Sequence, residues 1–257
     1  MTVPPLPQDF LRLPVAHRAL HDTAQGRPEN SRAAIRAAIE AGYAIEIDLQ
    51  PSADGVPLVF HDYDLSRLTE ARGPVRDLTA AEAGRVPLGH GDGEGIPTLA
   101  EVLDLVAGRV PLLVEIKDQD GALGPDVGPL EAATAAALAG YAGPVAVMSF
   151  NPHSVAEMAR LAPDLPRGLV TDRFEAADWP VPADRRAALR EIPDFDRVGA
   201  AFISHQAKDL GRGRVQDLRR AGVPVLCWTI RSPQAEADAR RLADNVTFER
   251  YLAALPA

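Results

Sequence analysis

The sequence predicts an α/β fold, a (β/α)8 TIM barrel with a small insertion after the third strand. Three observations point there. Short runs rich in Val, Ile and Leu alternate with Ala- and Arg-rich stretches of helical period. Eight such runs can be counted, the number a closed barrel uses. The chain has 257 residues, a length at which alternating strands and helices commonly close into one barrel. It is read as a single domain over residues 1–257, because no repeat, low-complexity tail or clear linker interrupts it.

The strands are expected near 15–20, 44–50, 56–60, 111–117, 144–149, 167–171, 200–204 and 224–229. Helices are expected near 31–41, 98–107, 129–140, 152–161, 214–221 and 232–243. Several carry start signals: Asn30 or Ser31 before the first, Thr98 with Glu101 as a capping box, and the pairs Asn151-Pro152 and Ser232-Pro233. One connection breaks the rhythm, since "PSADG" between the second and third runs is too short for a crossover helix. The stretch 62–96 is long and contains "GHGDGEG", so it is expected to lie over one mouth of the barrel. The stretch 173–199, rich in Pro and charge, yields no assignable element.

Composition excludes some partners. There are 36 acidic against 27 basic residues, a net charge of −9, which argues against general binding to nucleic acid or anionic membranes. Cys227 is the one cysteine, so an intramolecular disulfide is excluded. The first residues lack the apolar stretch of a signal peptide, and no segment reaches the roughly 18–20 apolar residues of a transmembrane span. A cytoplasmic location is the resulting expectation.

The chemistry is written in polar residues on core strands. Alternation in "AIEIDLQ" puts Ile45, Ile47 and Leu49 against the helices and turns Glu46, Asp48 and Gln50 into the barrel. In "LLVEIKD", Leu112, Val114 and Ile116 face the helices, while Glu115 and Lys117 face inward. Three inward carboxylates need cationic partners, because an isolated buried charge is costly. Lys117 is one such partner and a divalent cation the other, with oxygen ligands suited to Mg²⁺ or Ca²⁺. A set of buried salt bridges would also account for one such strand; the same device on two strands favours the metal.

His17-Arg18 falls on the first predicted strand and His61-Asp62 ends the third, both beside the acidic cluster. Imidazoles there suit proton transfer, and an adjacent guanidinium suits a phosphate oxygen. Residue types alone therefore suggest metal-assisted chemistry on an anionic ester. His21, His90 and His153 read as loop or surface residues, whereas His205, at the end of the seventh strand, is in reach of the mouth. Cys227, alternating with Trp228, is expected to face the helices.

Six separated motifs then agree with one known pattern. They are HR at 17–18, "PEN" before a helix, E-x-D at 46–48 with a D-G turn, HD at 61–62, "IPTLAEVL", and "EIK" at 115–117. The chain resembles the glycerophosphodiester phosphodiesterase family, strongly over 15–118 and more weakly beyond, through "VMSFNP" and "VLCWTI". The resemblance implies a barrel with an insertion after the third strand. It implies hydrolysis of a small-molecule glycerophosphodiester to glycerol 3-phosphate and an alcohol, with one divalent cation. Carried over by motif, Glu46, Asp48 and Glu115 become metal ligands, and His17 and His61 the general acid/base pair. Arg18 and Lys117 would hold the phosphate, Trp228 would border the glycerol end, and Glu29 would lie near the metal. The nucleophile is water or, as the resemblance favours, the glycerol 2-hydroxyl, giving a cyclic phosphate.

The pattern departs in three places: Ala19 stands where the family usually has Gly, "LHDTAQGR" carries the additional His21, and "NVTFERY" replaces a GITDRP-like ending. Two further readings are a lysophospholipase D-like enzyme, whose mark would be an apolar rim, and a barrel that binds glycerol phosphates without hydrolysing them. The polar loop 62–96 weighs against the first, and the complete set of His and acidic residues against the second.

Overall fold

The structure is a computed structural model and describes residues 3–256. Within these residues a closed eight-stranded parallel barrel is built from β1 (Val15–Ala16), β2 (Ala44–Pro51), β4 (Leu112–Ile116), β5 (Val145–Ser149), β6 (Arg167–Thr171), β7 (Phe202–Gln206), β8 (Val225–Ile230) and β9 (Asn245–Phe248). β1 closes it, pairing with β2 on one side and β9 on the other. The ninth strand, β3 (Pro57–Val59), is an antiparallel hairpin arm on the edge of β2. The helices are α1 (Asp9–Arg12), α2 (Arg32–Ala41), α3 (Ala80–Ala83), α4 (Leu99–Val106), α5 (Pro129–Leu138), α6 (Pro152–Leu161), α7 (Ala183–Arg190), α8 (Gly213–Arg220) and α9 (Pro233–Ala239). No helix among the described residues is long and apolar enough to cross a membrane.

The barrel expected from the sequence is present, but one expected stave lies outside it and one of its strands is not an expected one. The run 56–60 is not a barrel stave. "PSADG" is too short to cross over yet suits a hairpin, so β3 runs back along β2 with Leu49 opposite Val59 and Pro51 opposite Pro57. The last stave is β9, which the sequence reading passed over because Asn245 and Thr247 interrupt its short apolar run. β1 is also shorter than expected. Arg18 and Ala19 have φ of 50° and 64°, so the chain leaves the sheet at once, and His17 and Arg18 follow the strand instead of lying on it. The unassigned stretch 173–199 contains α7.

The helix signals act as anticipated. Ser31 caps α2, and Thr98 and Glu101 form a complete capping box on α4. Glu94, at the end of the insertion, accepts from Arg32 N (2.9 Å) and Ala33 N (3.0 Å). A carboxylate on the free amides of a helix start favours both partners, and here it pins the insertion to α2.

Alternation sorts the strands. Ile45, Ile47, Leu49, Leu112, Val114, Ile116 and Cys227 belong to the outer core between sheet and helices. Ala44, Leu113, Ala146, Phe202 and Leu226 form a second cluster, completed by Leu6 and Phe10 from the N-terminal segment. Gly168 on β6 has a positional reason: a Cβ there would lie 2.5 Å from the Phe202 ring. The insertion has its own small core of Leu58, Phe60, Leu65, Val75, Ala83, Leu88 and Ile96.

Asn245 ties the N-terminal segment to the barrel. Its fully buried side-chain amide donates to the carbonyls of Phe10 and Leu13, both at 2.7 Å. Asn245→Ala strands those acceptors, and the expected loss is ~1–3 kcal/mol of unfolding free energy, read as a lower urea midpoint at unchanged slope. An unchanged midpoint would show that the clamp carries no stability.

Candidate active site

A cleft of about 720 Å³ opens at the mouth of the barrel. Its lining includes His17, Arg18, Glu46, His61, Glu115, Lys117 and Trp228. Asp48, 1% exposed, is the eighth residue anticipated from the sequence; its carboxylate groups with those of Glu46 and Glu115, ligand atoms all within 4.8 Å of one another. The register explains the grouping, because β2 and β4 pair in parallel with Asp48 opposite Glu115, and Glu46 is two residues before Asp48 on the same face.

Two of the three carboxylates share one cation. Lys117 Nζ lies 2.7 Å from Asp48 Oδ1 and 2.5 Å from Glu115 Oε1. The other Asp48 oxygen accepts from Asn30 Nδ2 at 2.9 Å. Asn30 reaches it from a left-handed backbone conformation (φ 58°), which asparagine tolerates better than most residues. Glu46 Oε2 accepts from Arg18 N at 2.8 Å.

These partners divide the protons. Burial pushes the Glu46 carboxyl well above its usual range, and the charges of Asp48 and Glu115 add to the effect. Burial acts the same way on Asp48, but Lys117, His61 and Arg18 outweigh it and hold that carboxyl far below the ordinary value. Burial works against the Lys117 ammonium, yet Asp48 and Glu115 prevail and keep it charged. The donors fit a hard divalent cation: three convergent carboxylates, buried and mutually repelling, with Glu46 the one that an added positive charge would help to ionise.

Each imidazole is backed by a carboxylate. His17 Nδ1 lies 2.7 Å from Glu249 Oε2, and His61 Nδ1 lies 2.6 Å from Asp62 Oδ1. Burial lowers His17 to about 4, against the opposing pull of Glu249. His61 reaches the cleft on the returning arm of the β2–β3 hairpin, where its carbonyl accepts from Gln50 Nε2 at 3.1 Å. Arg67, from the insertion, joins the two halves of the site. It donates to both oxygens of Asp62 (2.5 and 2.9 Å) and both of Glu29 (2.7 and 2.9 Å), and Glu29 in turn accepts from Arg18 at 2.7 Å.

One wall of the cleft is aromatic. Phe150 stands 4.7 Å from Trp179 and 5.5 Å from Trp228, centroid to centroid. Trp228 Nε1 donates to Ser204 O at 3.0 Å, which fixes the indole at the edge of the cleft.

The sequence matches the Glycerophosphoryl diester phosphodiesterase family over residues 17–248. The chain belongs to this family. A glycerophosphodiester phosphodiesterase of Caldanaerobacter subterraneus subsp. tengcongensis is 35% identical over 227 residues, covering 85% of each chain. One of Bacillus subtilis is 30% identical over 216 residues, covering 78% of this chain and 70% of its own. Among solved structures, a phosphodiesterase of Oleispira antarctica in complex with sn-glycerol-3-phosphate superposes with TM-score 0.74 at 26% identity, covering 92% of this chain and 93% of its own. The chain is thus a phosphoric diester hydrolase with the TIM barrel of its relatives.

Against the family pattern, Ala19 sits in a left-handed conformation (φ 64°), the reason a glycine is favoured there; an alanine in that region carries a cost of about 1 kcal/mol. His205 does not reach the mouth. It is 1% exposed and hydrogen-bonds Thr171 Oγ1 at 2.7 Å, while its neighbours Ser204 and Gln206 line the cleft. Sequence reasoning missed Arg67, Asn30 and the backing roles of Asp62 and Glu249. Glu249 had a signal, since it follows the last barrel stave, but that strand had not been counted. Arg67 had none, because its partners lie 38 and 5 residues away.

A carboxyl raised in the folded state contributes stability below its unfolded value, and that contribution is lost as pH rises through the folded one. In chelator, Glu46→Gln is therefore expected to unfold at a higher temperature than the parent protein, by a margin that grows from pH 5 upward. Saturating Mg²⁺ or Ca²⁺ should narrow that margin. A margin independent of pH would refute the protonation assigned to Glu46.

Proposed function

We propose that the enzyme hydrolyses glycerophosphodiesters to glycerol 3-phosphate and an alcohol, with His17 and His61 as its general acid/base pair. The observation that carries this reading is that both imidazoles line the cleft with Nδ1 engaged by a carboxylate, leaving Nε2 of each uncommitted. Burial keeps His17 neutral near pH 7, so it accepts the proton of the attacking hydroxyl. His61 supplies a proton to the leaving alcohol oxygen. Arg18 and Lys117 offer fixed positive charge to the phosphoryl oxygens, and Trp228 packs against the glycerol carbons.

Glu46, Asp48 and Glu115 would hold one divalent cation, Mg²⁺ or Ca²⁺, which when bound supplies charge neutralisation at the phosphoryl group. Arg67 positions both ends of the site, since Asp62 orients His61 and Glu29 orients Arg18. The attacking hydroxyl is read as the 2-hydroxyl of the substrate glycerol, which makes a cyclic phosphate the first product.

Product release from a panel of glycerophosphodiesters, with Mg²⁺ or Ca²⁺ and with EDTA, tests the reading. Turnover with metal and none in EDTA is expected, with a five-membered cyclic phosphate visible by ³¹P NMR at early times. His17→Ala and His61→Ala should each lower kcat by at least ~10²-fold. A near-normal rate in either variant would remove that histidine from the mechanism.

The aromatic wall of Phe150, Trp179 and Trp228 favours a second reading, a lysophospholipid as substrate, because these rings extend apolar surface beyond what a glycerol needs. A lysophosphatidylcholine in the same panel separates the two. Faster release of choline from it than from glycerophosphocholine would favour the lipid.

A further inference from the structure

A second group of potential ligands lies beside the carboxylate trio. His17, His21 and Glu249 bring one donor atom each to within 4.8 Å of one another. His17 Nδ1 is 2.7 Å and His21 Nε2 is 3.6 Å from the same oxygen, Glu249 Oε2. Metal–ligand bonds of about 2.0–2.1 Å in a tetrahedral zinc site separate the donors by about 3.3–3.4 Å. The observed spacings straddle that value, so small side-chain rotations would complete the geometry.

His21 Nε2 is removed from solvent and has no hydrogen-bond partner among the described residues. An uncompensated buried polar atom costs ~1–3 kcal/mol, which a bound ion would relieve. Glu249 is prepared for single-oxygen ligation. Arg231 Nε (2.7 Å) and Arg250 Nε (3.4 Å) hold its other oxygen, Oε1, leaving Oε2 to the histidines. Such outer partners orient a ligand. Both guanidiniums also repel a cation, so the site suits a reversibly bound ion better than a permanent one. Its donors, two imidazoles and one carboxylate, match Zn²⁺ and not the all-oxygen preference of Mg²⁺ or Ca²⁺.

We propose that His21, His17 and Glu249 form a second, inhibitory metal site that takes a borderline transition ion such as Zn²⁺. The site is separate from the carboxylate trio but shares a residue with the reaction. With Nδ1–H donated to Glu249, the His17 ring keeps a lone pair on Nε2. An ion on Nδ1 sends that proton to Nε2, with no net proton gained or lost, and the lone pair needed to accept a proton is gone. The inhibitory part rests on the role proposed for His17, whereas the metal site does not. His21, the residue that sets this loop apart from the family pattern, makes the difference between a two-donor and a three-donor site.

Cobalt separates the two parts. With the carboxylate trio saturated by Mg²⁺, Co²⁺ added to the full chain is expected to give the intense visible bands of a four-coordinate ion, displaced by Zn²⁺. The bands should be lost in His21→Asn, with a cooperative melt in chelator showing that the variant is folded. In the activity assay with saturating Mg²⁺, Zn²⁺ should inhibit the parent protein, and His21→Asn should raise the half-inhibitory concentration by at least ~10-fold. Absence of the bands in the parent protein, or their survival in His21→Asn, overturns the site. Bands without inhibition would keep the site and overturn the role of His17, and an unaltered inhibition curve in His21→Asn would overturn the inhibitory assignment.

Discussion

Three carboxylates held within one buried pocket are the constraint around which the mouth of this barrel is organised. The side chains of Glu46, Asp48 and Glu115 are almost fully buried, and the charges of Asp48 and Glu115 raise the Glu46 carboxyl further. The surrounding residues answer that charge. Lys117 bridges two of the three, Asn30 leaves its loop in a left-handed turn to reach Asp48, and the backbone of Arg18 turns its amide to Glu46. An apolar barrel end would be easier to build. One that concentrates negative charge has the donors that could hold a divalent cation.

The same pressure extends outward in alternating sign. Arg18 pairs with Glu29, Glu29 with Arg67, Arg67 with Asp62 and Asp62 with His61. On the other side His17 pairs with Glu249, and Glu249 with Arg231. No link in this chain is long, and several of its members are partly exposed, so individual pairs contribute little to stability. Their effect is geometric. They fix which nitrogen of each imidazole is committed and where the guanidinium of Arg18 lies, a pre-arrangement that the proposed acid/base pair would need.

Much of the site was legible because a strand repeats every two residues. Once "AIEIDLQ" and "LLVEIKD" are read as strands, Glu46, Asp48, Glu115 and Lys117 must share a face, and the apolar residues between them must face the helices. The helix starts were legible for an equally local reason, since a Thr or Ser with its partner three residues on satisfies amides that no other group can reach. The strand count was less secure. The 56–60 run has the composition of a barrel stave, and only its short connection marked it as a hairpin arm. β9 has two polar side chains in four residues, so its membership of the barrel shows only in its pairing with β1 and β8.

By itself the sequence determined the class of fold, the inward ring of acids and the two histidine pairs, because these depend on alternation, propensity and spacing along a few residues. Tertiary structure alone decided which carboxylate backs which imidazole, that an arginine of the insertion links His61 to Arg18, and that His21 meets His17 at Glu249. Those relations join residues up to 232 positions apart. They follow from barrel closure and from the path of a hairpin, and neither leaves a mark in local composition.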